Sequence, residues 1–202
     1  MPKVRQRIEA VRAFRLQSTK EATRKYADFP YRFMEIRQPS SEYILIPRHS
    51  SENRRYIPIG FVSPECIASN ANLIIPNATL YHFGILTSNV HMAWVKTVCG
   101  RLKSDYRYSK DIVYNNFPCP APTEEQKKRI EETAQAILDA RMLYPESTLA
   151  DLYDPLAMPP ELLAAHRAND KAVMQAYGMN VKTVSEPQCV ARLMQLYKEL
   201  AG

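Results

Sequence analysis

Pro118-Cys-Pro-Ala-Pro-Thr-Glu-Glu-Gln126 is where the chain changes character. Its prolines remove backbone donors and stop regular structure. Thr123-Glu-Glu-Gln126 then has capping-box spacing, in which two side chains satisfy each other's backbone N–H groups at a helix start. The pattern predicts a helix from there to about Met142. Downstream, Pro160 is placed to open another helix that ends before Gly178. Ser185-Glu-Pro-Gln188 opens a last one, with Val190, Leu193, Leu196 and Tyr197 along its apolar face. Asp151 and Asp154 flank Tyr153 and fit capping roles better than a nuclease metal site. Met158, Met174, Met179 and Met194 fit core filling. Residues 121–202 thus read as a small all-helical C-terminal domain.

Upstream the pattern is different. Residues 4–27 read as one helix within a leading segment, 1–28. Val4, Ile8, Val11, Phe14 and Ala22 recur near helical spacing, and arginines occupy the other faces. This helix lacks a convincing starting cap, which suggests a piece cut from a longer protein. From Phe29 to Pro120 the runs shorten and become β-like: Tyr43–Pro47, Tyr56–Phe61 and Leu73–Ile75. His49-Ser-Ser-Glu-Asn-Arg-Arg55 between them reads as a polar turn. A helix starts near Thr87 or Ser88 and runs through Trp94 to about Val98, before Gly100. The fold class expected is α+β: a mixed α/β domain over residues 1–120, then the helical domain.

No apolar run reaches the ~18 residues of a membrane span. Pro2-Lys-Val-Arg-Gln-Arg7 leads into an amphipathic pattern and not a signal peptide. A cytoplasmic protein with no membrane partner is expected. Cys66, Cys99, Cys119 and Cys189 are widely separated and form no metal-ligand spacing, so buried free thiols are expected. The net charge of +6 is uneven. Residues 1–120 hold 18 Lys/Arg against 9 Asp/Glu, and residues 121–202 hold 9 against 12. Only the first part suits a polyanion.

Within that basic part, Cys99-Gly-Arg-Leu-Lys-Ser-Asp-Tyr-Arg-Tyr-Ser109 sets Lys103, Asp105 and Arg107 at alternate positions. An extended backbone would turn all three to one side. Lys or Arg suits guanine O6 and N7, and Asp suits the N4 donor of cytosine. Lys103 and Asp105 could therefore read both halves of one G·C pair, and Arg107 a neighbouring purine. An exposed Lys–Asp ion pair is the plainer alternative. Tyr106 and Tyr108 alternate with these residues and are expected to face the core. Asn70 and Asn72, in Ser69-Asn-Ala-Asn72, could pair with adenine or simply build a turn. Arg48, Arg54, Arg55, Lys96 and Arg101 are candidates for phosphate contacts, which fix register and dominate affinity.

Arg101-Leu-Lys-Ser-Asp-Tyr-Arg-Tyr-Ser109 with Tyr114-Asn-Asn-Phe-Pro118 resembles the target-recognition domain of the MmeI-like restriction–modification enzymes. Those enzymes fuse an endonuclease to an adenine-N6 DNA methyltransferase. Ile36-Arg-Gln-Pro39, Tyr56-Ile-Pro-Ile-Gly-Phe61 and Leu80-Tyr-His-Phe-Gly-Ile-Leu-Thr-Ser88 support the resemblance. Leu152-Tyr-Asp-Pro-Leu-Ala-Met-Pro-Pro160 is similar to the family's C-terminal helical region. Cys119 departs from the pattern, where the family usually has Trp. The resemblance implies sequence-specific recognition of double-stranded DNA, with base-reading positions at Lys103, Asp105 and Arg107 and another near Asn70 and Asn72. It also implies an intramolecular methyltransferase domain as partner.

The residues themselves predict no chemistry in this piece. Asn115-Asn-Phe-Pro118 has the wrong order for an amino-methyltransferase loop, and the five glycines form no cofactor loop. No S-adenosylmethionine site is therefore expected in this piece; the resemblance places S-adenosylmethionine and any Mg²⁺ in methyltransferase and nuclease domains outside this chain. His49, His82, His91 and His166 are scattered; His82 and His91 read as core or interface residues. No catalytic or metal-ligating residue is assigned. The competing reading is a non-catalytic module whose basic half docks an acidic partner.

Overall fold

The leading segment forms two helices, α1 (Pro2–Leu16) and α2 (Glu21–Lys25), then a tight turn at Tyr26–Asp28. The single long helix expected here breaks because Lys20 takes extended backbone, φ −82° and ψ 119°. Ser18 Oγ accepts the Lys20 N–H at 3.2 Å, a local bond that competes with helix. The Arg15 guanidinium then donates to the carbonyls of Tyr26, Phe29 and Arg32 at 2.9, 2.8 and 2.7 Å. None of α1's residues is buried; Val4, Val11, Phe14 and Leu16 are all exposed.

This computed structural model describes all 202 residues, which divide into two units, Met1–Gln38 and Pro39–Gly202. The first holds 10 Lys/Arg against 4 Asp/Glu, and the second 17 against 17. The charge asymmetry thus lies mostly in the leading 38 residues.

The second unit contains two small antiparallel sheets. The first has the order β3-β1-β4, with β1 (Tyr43–Pro47) between β3 (Gly60–Val62) and β4 (Asn72–Pro76). Ile44 faces Phe61 on one side and Ile75 on the other. The expected strand at Tyr56–Phe61 is mostly irregular: Pro58 has no N–H for a ladder, and Ile59 N turns back to Ile57 O at 2.8 Å. Tyr56, Ile57 and Ile59 are nonetheless buried. The second sheet has the order β2-β6-β5, from β2 (His49–Ser50), β6 (Asp105–Arg107) and β5 (Gly100–Leu102).

Helix α3 (Leu80–Leu86) was not among the expected elements, and Gly84 sits in its middle. That glycine is required by packing: a Cβ there would lie 2.6 Å from Ile130 Cγ2. Helix α4 (Asn89–Val98) begins at Ser88 as expected, with Ser88 Oγ accepting from His91 N at 3.2 Å. The capping box at Thr123 opens α5 (Glu124–Met142), and α6 (Leu149–Leu152), α7 (Pro160–Ala176) and α8 (Glu186–Ala201) follow. Helix α5 packs on α3 and α7, and α8 packs on α4. Trp94, Tyr108, Ile130, Leu162 and Leu193 therefore belong to one core.

Two expectations about single residues are corrected. Only Cys189 among the free cysteines is buried; Cys66 and Cys119 are exposed and Cys99 half-buried. His82 is not a core residue: its Nδ1 accepts the Thr79 N–H at 3.1 Å and completes the cap of α3. No helix is long and apolar enough to cross a membrane.

Candidate nucleic-acid interface

Strands β5 and β6 pair as Gly100↔Arg107, Arg101↔Tyr106 and Leu102↔Asp105, joined by the two-residue turn Lys103-Ser104. Lys103 supplies the left-handed turn position at φ 55°. The expected alternation of three readers along one strand is thus corrected. Asp105 and Arg107 share a strand face, while Lys103 projects from the tip because the chain reverses there. A lysine at this φ is unusual, since a side chain crowds the left-handed region.

The faces of the hairpin are sharply divided. Tyr106 and Ser50, cross-strand partners, are both 4% exposed, and Tyr108 is 2% exposed. The Tyr108 hydroxyl lies 2.9 Å from His91 Nε2, and burial pushes the His91 imidazole down to about 3. These aromatic rings seat the hairpin on α4, as expected for Tyr106 and Tyr108. The opposite face carries His49, Arg107 and Asp105, all exposed.

Arg48 joins the two candidate reading regions. Its N–H donates to Ala71 O at 2.9 Å, and its carbonyl accepts from Tyr108 N at 2.8 Å. In a regular antiparallel strand both groups of one residue face the same neighbour. Here they face different strands, so Arg48 is the corner where the chain leaves the first sheet and enters the second. The Ser69–Asn72 turn and the β5–β6 hairpin are thereby tied to one residue. Asn72 is engaged in that turn, its Nδ2 donating to Ser69 Oγ at 3.0 Å. Asn70 is exposed, and its amide makes no hydrogen bond within the chain.

The remaining candidates differ in how free they are. Arg54 and Arg55 lie on the loop after β2, with the Arg55 guanidinium 5.7 Å from the Tyr56 ring centroid. Lys96 Nζ lies 2.8 Å from Glu186 Oε2, which ties α4 to α8. Arg101 sits over the Tyr106 ring at 4.2 Å and donates to Ser104 O at 2.9 Å, bracing the turn. Lys103 and Arg107 have no side-chain partner, so the expected alternative of a Lys103–Asp105 ion pair is absent. One oxygen of Asp105 accepts the Glu52 N–H at 3.2 Å.

Two features of this surface escaped the sequence reading. His49 belongs to β2, opposite Arg107, and not to a polar turn. Glu52 orients Asp105 through its backbone and lies 3.9 Å from Arg101. The apolar run ending at Pro47 gave no sign that one further residue would turn the strand into a second sheet.

The loop carrying these residues is held from below. The Tyr56 hydroxyl donates to Asp170 Oδ2 at 2.7 Å, and the other oxygen accepts the Asn89 N–H at 2.7 Å. Asp170 thus anchors both the loop and the first residue of α4. Burial pushes its carboxyl up to about 6, against hydrogen bonds from Tyr56 and Asn89 that pull it down. Tyr56 stacks on His166 at 4.1 Å, and His166 Nε2 lies 2.6 Å from the Tyr153 hydroxyl. Burial, with the nearby Arg141 charge, pushes the His166 imidazole down to about 3. Polar heads held on a rigid exposed face can donate and accept at fixed positions, which suits base edges. No group of three His, Cys, Asp or Glu side chains converges in a way that could hold a metal.

Comparison with known proteins gives consistent matches. The family model described as MmeI, target recognition domain, matches residues 1–121, and that described as MmeI, C-terminal domain, matches residues 122–202. "DNA methyltransferase A" of Bacillus subtilis (strain 168) is 41% identical over 199 residues, covering 98% of this chain and 22% of its own length. A solved structure of the type IIL restriction–modification enzyme MmeI in complex with DNA superposes with a TM-score of 0.92 at 49% identity. It covers 100% of this chain and 27% of its own. The chain therefore spans about a quarter of the length of these relatives.

Proposed function

The chain belongs to the MmeI family, carrying its target-recognition and C-terminal domains, and on that premise we propose that it reads base edges in the major groove for an adenine-N6 DNA methyltransferase. The observation that carries this is the exposed hairpin face, where Lys103 and Arg107 have no partner in the chain and Asp105 keeps an oxygen to spare. Lys103 takes guanine O6 and N7, and Asp105 accepts from N4 of the paired cytosine. Arg107 takes a neighbouring guanine through its fork of donors. Asn70 is the better adenine reader, since Asn72 is engaged in its turn. Arg48, Arg54, Arg55, Lys96 and Arg101 supply phosphate contacts; to do so Lys96 leaves Glu186 and Arg101 the turn it braces.

These 202 residues recognise and do not catalyse. S-adenosylmethionine is bound by a methyltransferase domain elsewhere in the longer protein, and Mg²⁺ by any nuclease domain. The exposed Phe14, Leu16, Phe33 and Ile36 of the basic first unit suit docking on that methyltransferase domain. Methylating an adenine requires flipping it from the stack, so the hairpin holds a duplex distorted at one base.

The test is to map N6-methyladenine in cells expressing a methyltransferase that carries these residues. The motif is expected to contain a fixed G·C pair near the modified adenine. Exchanging the charges, Lys103→Glu with Asp105→Arg, should move that pair to C·G, since each good pair discriminates by ~1–3 kcal/mol. An unchanged motif in the double variant would reject the assignment.

A further inference from the structure

We propose that His49 is a further base-reading residue, accepting from the exocyclic amine of the cytosine whose paired guanine is taken by Arg107. This rests on the base-reading function above and adds a contact to it. His49 and Arg107 are direct cross-strand partners in the second sheet. The bond from Tyr108 N to Arg48 O makes the pair before them a hydrogen-bonded one. His49 and Arg107 therefore form a non-hydrogen-bonded pair, the kind with Cα atoms roughly 4.5 Å apart and side chains closest. Both side chains leave the same exposed face, while Ser50 and Tyr106 turn into the core.

The spacing fits the groove. Asp105 and Arg107 are two residues apart on one strand, which is roughly 6.6 Å. The duplex rises roughly 3.4 Å per base pair along a strand, so these two residues address different pairs. His49 lies across the sheet from Arg107, at the same level along the strand. With β6 lying along the groove, His49 addresses the pair that Arg107 addresses, from the other side. The third member of this row, Gly100, has no side chain, so the guanidinium of Arg107 has a side-chain neighbour in its row only at His49. An unprotonated imidazole nitrogen accepts a hydrogen bond, and cytosine N4 offers a donor there. His49 has no hydrogen bond or ion pair within the chain that a base would need to displace.

The experiment selects bound duplexes from a library with a randomised core, using the 202-residue chain, and sequences the recovered pool. Arg107→Ala is expected to lose preference at one base pair, and Lys103→Ala at a different one. His49→Ala should lose at least fivefold preference at the Arg107 position alone, and adding it to Arg107→Ala should change little more. His49→Gln keeps an acceptor and should restore part of the preference; it also serves if His49→Ala folds poorly. A His49→Ala protein that selects the wild-type sequence unchanged overturns the proposal. So does one whose affinity falls evenly for every sequence, because that marks a phosphate contact. A wild-type chain that selects no sequence at all rejects the base-reading function, and this inference with it.

Discussion

Replacing Lys103 by glycine separates what the fold wants from what recognition wants. Lys103 holds φ 55°, a conformation that costs a residue with a Cβ about 1–2 kcal/mol. Glycine adopts it freely but loses more backbone entropy on folding, about 0.5–1 kcal/mol. Because the lysine head is exposed and makes no hydrogen bond or ion pair in the chain, none is lost. The net should be a protein of equal stability or one more stable by up to about 1.5 kcal/mol. Recognition should move the other way. Without the lysine, discrimination for guanine at one position should fall by about 1–3 kcal/mol, roughly five- to 150-fold. Urea unfolding measures the first quantity, and competition binding with matched and mismatched duplexes the second. If Lys103→Gly is destabilised, the residue holds the turn together and the strain argument fails. If its discrimination is unchanged, Lys103 does not read a base.

Two other perturbations test the packing of the second unit. Asp170 has its carboxyl raised from 3.8 to about 6, so the native state holds this proton more tightly than the unfolded chain. Its contribution to stability is full below about pH 4 and is lost as pH rises through about 6, a swing on the order of 3 kcal/mol. Asp170→Asn cannot titrate, so the stability difference between the two proteins should shift toward the variant over that interval in urea titrations; a flat difference rejects it. Gly84→Ala gains about 1 kcal/mol of helix propensity but places a Cβ 2.6 Å from the fully buried Ile130. Overpacking of about 1–3 kcal/mol should prevail and lower the melting temperature, and a higher one would count against it.

The elements that the sequence announces are those whose signals are local. Capping at Ser88, Thr123 and Ser185 and the proline at 160 place four helix starts correctly, because each cap is completed within a few residues. Elements governed by distant partners stay hidden. Helix α3 has Gly84 at its centre, and the reason for that glycine is Ile130, far off in the chain. Tyr56–Ile59 has the composition of a strand, yet its burial is set by Asp170 and His166, more than a hundred residues away. The site shows the same division. Alternation within Asp105–Arg107 is visible in the chain, and Tyr106 and Tyr108 face inward as that alternation requires. The turn at Lys103, the corner at Arg48 and the pairing of His49 depend on strands meeting across the fold, and neighbouring residues carry no trace of them.

The corner at Arg48 has a thermodynamic consequence. One backbone unit clips the asparagine turn to the hairpin before any ligand arrives. The ordering entropy of that shared backbone is therefore lost during folding and not again on any later association. If this face reads base edges as proposed, the corner at Arg48 offers no slack to relieve a mismatch, which is then felt as a missing bond.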